Sequence, residues 1–240
     1  MARVAVVTGG IEGIGAATSE ELTRNGFLVI ATFAHDDAGA AAFTARTSIA
    51  VRKWDIGDFA ACQEHVAEIE AKFGPIDVLV NNAGITADCT LHKMTPEIWH
   101  RVITTNLNGI FNMCRSVIEG MRERKYGRII NLGSVNGQSG QFGQTNYAAT
   151  KAGIVGFSKS LALESAAKGI TVNVVAPGYT DTAMVAHVPP PVLAKIVETI
   201  PVGRLAAAAE IAHAIAFLAS ENAGYITGAT ISVNGGRYLA

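Results

Sequence analysis

Short apolar segments alternate along this chain with longer segments of helical character, and this alternation constrains the fold more than any other feature. Val78-Leu79-Val80 and Val172-Asn173-Val174-Val175 do not alternate in and out, which is typical of strands buried on both faces. Such strands, separated by helices, predict an α/β fold: a doubly wound parallel sheet of seven strands with helices on both faces. The predicted strands are 3–7, 27–33, 49–53, 76–82, 128–133, 170–176 and 229–233, and the predicted helices are 13–25, 36–46, 58–73, 96–124, 146–168, 190–198 and 208–220.

Length and composition limit the possible classes of protein. The 240 residues predict one domain, 1–240, and 49% hydrophobic against 16% charged residues predicts a large core and a surface partly buried in an oligomer. A net charge of −1 argues against binding to nucleic acid or to an anionic membrane. The histidines are scattered without ligand spacing, so no metal is expected. Cys62, Cys89 and Cys114 form neither a disulfide framework nor a zinc motif, so we expect the cytoplasm.

A glycine-rich turn, Thr8-Gly9-Gly10-Ile11-Glu12-Gly13-Ile14-Gly15, follows the first predicted strand and leads into a helix. Glycines let the backbone approach a pyrophosphate, and a helix N-terminus offers it N–H groups and a positive dipole. The spacing is not G-x-G-x-x-G, so an ordinary glycine-rich turn remains an alternative. Asn81-Asn82-Ala83-Gly84 closes the fourth strand and offers small residues for a cofactor to lie against. Asp55 follows the third strand, where it can accept from an adenine amino group or simply cap a turn.

Three polar side chains converge on the carboxyl edge of the predicted sheet. Tyr147 and Lys151 share a helix face at i and i+4, and Ser134 ends the fifth strand. A ketone that accepts hydride needs a proton donor, and we expect the Lys151 ammonium to lower the pKa of Tyr147 so that it serves as that donor. Ser134 can orient the carbonyl oxygen. Asn106 is either a plain helix-surface residue or the holder of a water that links Lys151 to solvent.

Together with Pro177-Gly178, these motifs resemble the signature of the short-chain dehydrogenase/reductase family, in order across nearly the whole chain. The resemblance implies a Rossmann-type seven-stranded sheet, a nicotinamide cofactor and usually a homotetramer. It implies a mobile substrate lid at 179–202, for which a surface loop is the alternative. It assigns substrate orientation to Ser134, acid–base catalysis to Tyr147, ribose binding to Lys151 and the proton relay to Asn106. The implied cofactor-binding residues are Gly9, Gly10, Glu12, Gly13, Ile14, Gly15, Thr32, Phe33, Asp55, Ile56, Asn82, Ala83, Gly84, Tyr147, Lys151, Pro177, Gly178 and Thr182.

The segment from Ser134 to Tyr147 also resembles a subgroup, the acetoacetyl-CoA reductases of polyhydroxybutyrate synthesis. That resemblance implies an acyl-CoA substrate and an (R)-3-hydroxybutanoyl-CoA product. The implied pocket residues are Gln141, Phe142, Gln144 and Tyr179, with Asp88 and Lys93 shaping the site or the path of the thioester tail.

Two alternatives remain open at this level. A 3-oxoacyl-acyl carrier protein reductase has the same chemistry but needs a basic patch near the pocket mouth. The candidates for that patch are Arg101, Arg122, Arg124, Lys125 and Arg128. A catalytically inactive nucleotide-binding protein is the second alternative, and the intact Ser134, Tyr147 and Lys151 argue against it.

The choice between NADH and NADPH depends on charge near the adenosine ribose. Thr32-Phe33-Ala34-His35 contains neither the carboxylate typical of NAD enzymes nor the arginine typical of NADP enzymes. The subgroup resemblance implies NADPH. Glu12, Asp36 and Asp37 place negative charge nearby, against only His35 and Arg46, and this repels a 2′-phosphate. We therefore expect NADH to be used well and the preference for NADPH to be weak.

Overall fold

Seven parallel strands form one sheet in the computed structural model, which describes residues 2–186 and 188–239. The strands are β1 (Val4–Val7), β2 (Leu28–Phe33), β3 (Ala50–Lys53), β4 (Ile76–Asn81), β5 (Gly127–Leu132), β6 (Ile170–Pro177) and β7 (Thr230–Val233). Their order is β3-β2-β1-β4-β5-β6-β7. All seven predicted strands and the Rossmann-type arrangement are confirmed.

Helices flank the sheet, and most lie where the sequence predicts them. They are α1 (Gly13–Arg24), α2 (Asp37–Thr47), α3 (Phe59–Phe73), α4 (Pro96–Ile103), α5 (Gly109–Arg124), α6 (Val135–Ser139), α7 (Thr145–Ser165), α8 (Ala183–Ala186), α9 (Pro190–Glu198) and α10 (Ala208–Ala219). The helix predicted over 96–124 is confirmed, but it contains a π-helical turn, Thr104–Asn108, between α4 and α5, which the sequence did not predict. Helices α6 and α8 were not predicted because four or five residues are too few to show a helical period.

The sheet is buried on both faces. Val6 packs with Ile154 of α7 on one face, whereas Val7 packs with Leu22 of α1 and Ile215 of α10 on the other. Successive strand residues point to opposite faces, so most positions in such a strand are apolar. None of the helices in the described residues is long and apolar enough to cross a membrane.

The carboxyl edge of the sheet has a crevice where the strand order reverses. The chain crosses from β1 to β2 and β3 on one side, and then returns to β4 on the other side of β1. Ligands bind at such switch points in open parallel sheets. The residues that follow β1, β4, β5 and β6 therefore define the candidate site.

Candidate active site

The glycine turn after β1 is held in a conformation that larger residues disfavour. Gly9 and Gly13 have φ values of +59° and +50°. A Cβ on Gly15 would lie 2.0 Å from the carbonyl oxygen of Gly9. The N–H of Gly10 donates to the oxygen of Thr32 at 2.9 Å, so Thr32 shapes the turn through its main chain. The glycines are therefore required for the turn itself.

The N-terminus of α1 has donors to offer an anion. Glu12 is the N-cap residue, and no side chain makes a capping hydrogen bond there. The first intrahelical bond runs from the N–H of Ala16 to the oxygen of Glu12, which leaves the N–H groups of Gly13 to Gly15 without a helical acceptor. Free N–H groups at a helix start, beneath a glycine turn, fit a dinucleotide pyrophosphate.

Asn82 braces this turn from β4. Its Nδ2 donates to the carbonyl oxygens of Thr8 and Gly9, each at 3.0 Å, while Thr8 Oγ1 accepts from the N–H groups of Asn82 and Ala83. The Asn82 amide thus supports the turn from below. Gly84 follows, and its Cα lies beside Asn106 and Lys151.

Substituting Gly15 with alanine is expected to weaken cofactor binding. The new methyl group would overlap the Gly9 carbonyl and lie 2.5 Å from Asn82 Nδ2, so the turn has to open. We expect the Kd for NADH, measured by nucleotide fluorescence, to rise at least about tenfold. Circular dichroism shows whether the variant remains folded. A folded variant with parental affinity would contradict this account of the turn.

Asp55 and Ile56 follow β3, and their side chains lie in different environments. Asp55 is exposed, and its Oδ1 accepts from the N–H of Gly57 at 2.8 Å, so the turn-capping alternative is realised and the second oxygen stays accessible. The Ile56 side chain is buried and contacts Gly109. Phe33 is partly exposed at the end of β2, where an adenosine is expected.

The negative charge near the end of β2 is more compensated than the sequence predicts. Asp37 pairs with Lys53 at 2.6 Å, because Lys53 lies next to Phe33 in the parallel register. Asp36 accepts from the N–H of Gly39 and caps α2. The prediction from the sequence counted only His35 and Arg46 as positive charges near the adenosine ribose. It was wrong to omit Lys53. Arg46 pairs instead with Glu20 at 2.8 Å.

Lys151 is buried on α7, with 4% of its surface exposed. Its Nζ donates to the carbonyl oxygen of Leu132 at 2.6 Å and lies 5.5 Å from the centre of the Tyr147 ring. Burial lowers the pKa of Lys151 to about 8, because the charged form loses solvation. The ammonium is therefore held at the end of β5 at a cost in stability.

Tyr147 does not have the lowered pKa that the sequence predicts. Burial raises the pKa of its phenol, a hydrogen bond with Ser134 lowers it, and the charge of Asp88 raises it further. The prediction was wrong for this structure because desolvation of the phenolate outweighs the other effects. The phenol is thus held in its protonated form beside Ser134.

Asn106 is completely buried in the π-helical turn, so the helix-surface alternative is wrong. Its Nδ2 donates to the oxygen of Ile85 at 2.9 Å, and its Oδ1 accepts from the N–H of Ile85 at 2.8 Å. The extra residue of a π turn redirects a side chain inward, and such turns are frequent at functional sites. Asn106 thereby fixes the segment after β4 next to Lys151.

The residues expected to line the pocket divide into two groups. Asp88, Gln144 and Tyr179 lie near Tyr147, since the charge of Asp88 raises the pKa of both tyrosines. Gln144 is buried and hydrogen-bonded to Asp88. The exposed group comprises Lys93, Gln141 and Phe142, the last with 87% of its surface exposed.

The segment after β6 closes the crevice. Gly178 approaches Asn234 so closely that a Cβ would lie 2.8 Å from its Cα. The Thr182 side chain lies beside Gly13 of the glycine turn. The segment predicted as a lid, 179–202, contains α8 and α9. Residue 187 of this segment lies outside the described residues.

Two site residues escaped the sequence analysis. Asn136 donates through Nδ2 to Gln144 and through its N–H to Ser134, and Lys53 neutralises Asp37. Asn136 lies within the segment that carries the subgroup resemblance, which was a usable signal. No pattern in the sequence pointed to Lys53, because its pairing with Asp37 depends on the register of β2 against β3.

Comparisons with known proteins find that this chain is similar to reductases. A family model described as enoyl-(acyl carrier protein) reductase matches residues 9–237. A protein named acetoacetyl-CoA reductase from Shinella zoogloeoides is 57% identical, with 100% of both chains covered. A protein of the same name from Rhizobium meliloti (strain 1021) is 54% identical, again over 100% of both chains. A protein named 3-oxoacyl-(acyl-carrier-protein) reductase from Haemophilus influenzae is 47% identical over 99% of both chains.

Proposed function

The chain belongs to the short-chain dehydrogenase/reductase family, and from this premise we propose that it reduces acetoacetyl-CoA to (R)-3-hydroxybutanoyl-CoA for polyhydroxybutyrate synthesis. The observation that carries the reaction type is the grouping of Ser134, Tyr147 and Lys151 at the carboxyl end of β5, on the same edge of the sheet as the glycine turn after β1. The substrate is supported by the relatives, since those named for acetoacetyl-CoA match at 57% and 54% identity and the carrier-protein reductase at 47%.

The chain's own residues orient the ketone and supply the proton. A reduced nicotinamide, when bound, supplies a hydride to the carbonyl carbon at position 3. Ser134 donates a hydrogen bond to the carbonyl oxygen, and Tyr147 donates its phenolic proton to that oxygen as negative charge develops. Because burial keeps the Tyr147 phenol protonated, it is in the form that reduction requires. We assign Lys151 to ribose binding, and Asn106 to the proton relay that resupplies the phenol.

We assign the other predicted cofactor-binding residues to separate parts of the nicotinamide cofactor. We assign the pyrophosphate to the N–H groups of 13–15, the adenosine to Asp55 and the ends of β2 and β3, and the nicotinamide to Pro177, Gly178 and Thr182. We assign the lid to 179–202. Its helix α9 has no buried residue, and the segment is fixed at its ends by the bridge from Thr180 to Ala206 and by the bond from the N–H of Val202 to Gly235.

The basic residues that were expected to bind an acyl carrier protein do not form a patch near the site. Arg128 is buried in β5, where it donates to the oxygens of Gly127 and Ser220. Arg122, Arg124 and Lys125 end α5, which leads to the amino edge of the sheet, opposite the site. The prediction of a basic patch at the pocket mouth is therefore wrong for these four residues. The fifth candidate, Arg101, lies in α4.

We propose that NADH is used well and that Glu12 weakens binding of NADPH. Glu12 is exposed at the glycine turn, and its carboxylate has no ion-pair partner within the described residues. Substitution Glu12→Arg replaces repulsion of a 2′-phosphate with attraction, so the ratio of kcat/KM for NADPH to that for NADH should rise at least about tenfold. Glu64→Arg, on the exposed face of α3, is the matched control and should leave the ratio unchanged. An unchanged ratio in Glu12→Arg would refute this role.

We also propose that the enzyme is a homotetramer and works in the cytoplasm. Large apolar side chains are exposed on α5 and α7, at Phe111 and Leu163, and near the C-terminal strand, at Tyr225 and Ile231. Burial of these side chains between subunits would stabilise an oligomer. Three free thiols are consistent with a reducing compartment. Multi-angle light scattering measures the number of subunits.

A substrate panel tests the proposed function. Oxidation of NADH and of NADPH is followed with acetoacetyl-CoA, a longer 3-ketoacyl-CoA and a 3-ketoacyl carrier-protein thioester. The highest kcat/KM is expected with acetoacetyl-CoA. A higher value with the carrier-protein thioester would favour the alternative enzyme, and no activity with any ketone would contradict the proposal.

A further inference from the structure

Lys53 is the last residue of β3, and its side chain lies on the face of the sheet that is covered by α1 and α2. The parallel register places Lys53 beside Phe33, the last residue of β2. Successive residues of a strand point to opposite faces, so Lys53 shares its face with Val51. Val51 packs against the apolar cluster that contains Phe43 of α2. The Lys53 ammonium is therefore directed toward α2.

An exposed ion pair holds the Lys53 ammonium at the start of α2. Its Nζ lies 2.6 Å from a carboxylate oxygen of Asp37, in the first turn of that helix. The two side chains keep 48% and 68% of their surface exposed. Because an ion pair between exposed side chains contributes little to stability, a second anion can take the place of Asp37 at Nζ with little loss.

The arginines of the same region face elsewhere. Arg52 precedes Lys53 in β3, but its guanidinium lies 5.5 Å from the centre of the Phe73 ring, on the opposite face of the sheet. Arg46 lies in the last turn of α2, where it pairs with Glu20. Of the lysines and arginines in β2, β3 and α2, which the structure describes throughout, only Lys53 is directed to the start of α2.

The end of β2 is the place where a dinucleotide-binding sheet meets the 2′-position of the adenosine ribose. NADH and NADPH differ only at that position, which carries a hydroxyl in one and a phosphate in the other. Neighbouring strands are about 4.8 Å apart, and a lysine is a point charge on a flexible stem of four carbons. From its place beside Phe33, the Lys53 ammonium can therefore reach a phosphate at the end of β2.

We propose that Lys53 is a specificity-determining residue, which leaves Asp37 to bind the 2′-phosphate of NADPH. With NADH no phosphate competes, and Lys53 stays paired with Asp37. Lys53 thus opposes the effect of Glu12 and lets the chain accept NADPH in spite of the carboxylates nearby. The inference rests on the proposed function only in that this edge of the sheet binds a nicotinamide cofactor.

The test compares equilibrium binding of two nucleotides that differ in the 2′-phosphate alone. The Kd for NADPH and the Kd for NADH are measured by nucleotide fluorescence, without thioester, for the parent and for Lys53→Gln. We expect the ratio of the Kd for NADPH to that for NADH to rise at least about fivefold, because one positive charge beside the phosphate is lost. The Kd for NADH should stay within about twofold of the parental value.

Arg52→Gln is the matched control, since it removes the same charge from the adjacent residue on the opposite face of β3. Its ratio of Kd values should change less than about twofold. Salt provides a second check on the electrostatic cause. At about 1 M salt the difference in ratio between the parent and Lys53→Gln should shrink, because exposed charges are screened.

Three results would overturn the proposal. One is a Lys53→Gln variant with the parental ratio. Another is an equal rise of both Kd values in that variant, which would mean that Lys53 only supports the structure of the site. The third is the same rise in Arg52→Gln, which would mean that net charge decides and position does not. The proposed function fails separately, if the parent binds both nucleotides but reduces no ketone of the panel.

Discussion

Replacing Tyr147 with phenylalanine should lower kcat about 10³-fold, because it removes only the hydroxyl that protonates the ketone oxygen. The ring keeps its packing and its place 5.5 Å from Lys151 Nζ, so the cofactor cradle is preserved. Burial holds the phenol protonated in the parent, so the hydroxyl is the proton that the variant loses. The loss should therefore appear in kcat, measured by NADH oxidation under saturating acetoacetyl-CoA.

The matched control is Tyr225→Phe, which removes the same hydroxyl from a residue outside the candidate active site, on the surface proposed for subunit contact. Its kcat should equal that of the parent. NADH binding, followed by fluorescence, should be unchanged in Tyr147→Phe within about twofold. If Tyr147→Phe retains more than a tenth of the parental kcat, the tyrosine is not the main proton donor.

Replacing Lys151 with methionine should abolish most activity and, at neutral pH, stabilise the protein. The folded pKa of Lys151 is about 8, below the ordinary 10.5, so burial of the ammonium costs about 3 kcal/mol at pH values below 8. Loss of the hydrogen bond to Leu132 offsets about 1 kcal/mol of the gain. Loss of ribose binding and of the proton relay should reduce kcat/KM at least about 100-fold.

The pH dependence identifies the source of the extra stability. Between pH 8 and 10.5 the unfolded chain binds a proton at Lys151 that the folded chain has released, so stability of the parent rises with pH in that window. The difference in Tm between Lys151→Met and the parent, measured without added nucleotide, should therefore shrink from pH 7 to pH 10.5. Lys72→Met on α3 removes an exposed ammonium and should show no such trend. A Lys151→Met variant less stable than the parent at pH 7 would contradict this account.

Local patterns in the sequence were sufficient to predict the strands and to predict that Ser134, Tyr147 and Lys151 lie together. Strands buried on both faces are apolar in most positions, and the grouping of Tyr147, Lys151 and Ser134 follows from helix spacing and from the end of β5. Partners set by the folded chain were not predictable in this way. Asp37 and Lys53 are 16 residues apart, and Asp88 and Gln144 are 56 apart.

The direction of the Tyr147 pKa shift shows the same limit. Sequence spacing places an ammonium near the phenol, but it carries no information on how far either group is removed from water. Desolvation depends on all the atoms around a site, and here it raises the pKa of Tyr147 and lowers that of Lys151. Burial of single polar groups was thus the part of the site that the sequence could not provide.

The π-helical turn at Thr104–Asn108 makes this region sensitive to chain length as well as to residue type. Each helical residue rotates the following chain by about 100°. Deletion of a single residue here would convert the turn to an ordinary α-helix and rotate α5 against α4 by that angle. Either Asn106 would leave the site or the buried face of α5 would turn toward water. We therefore expect a one-residue deletion in this segment to disturb the site more than a substitution at an exposed position of it.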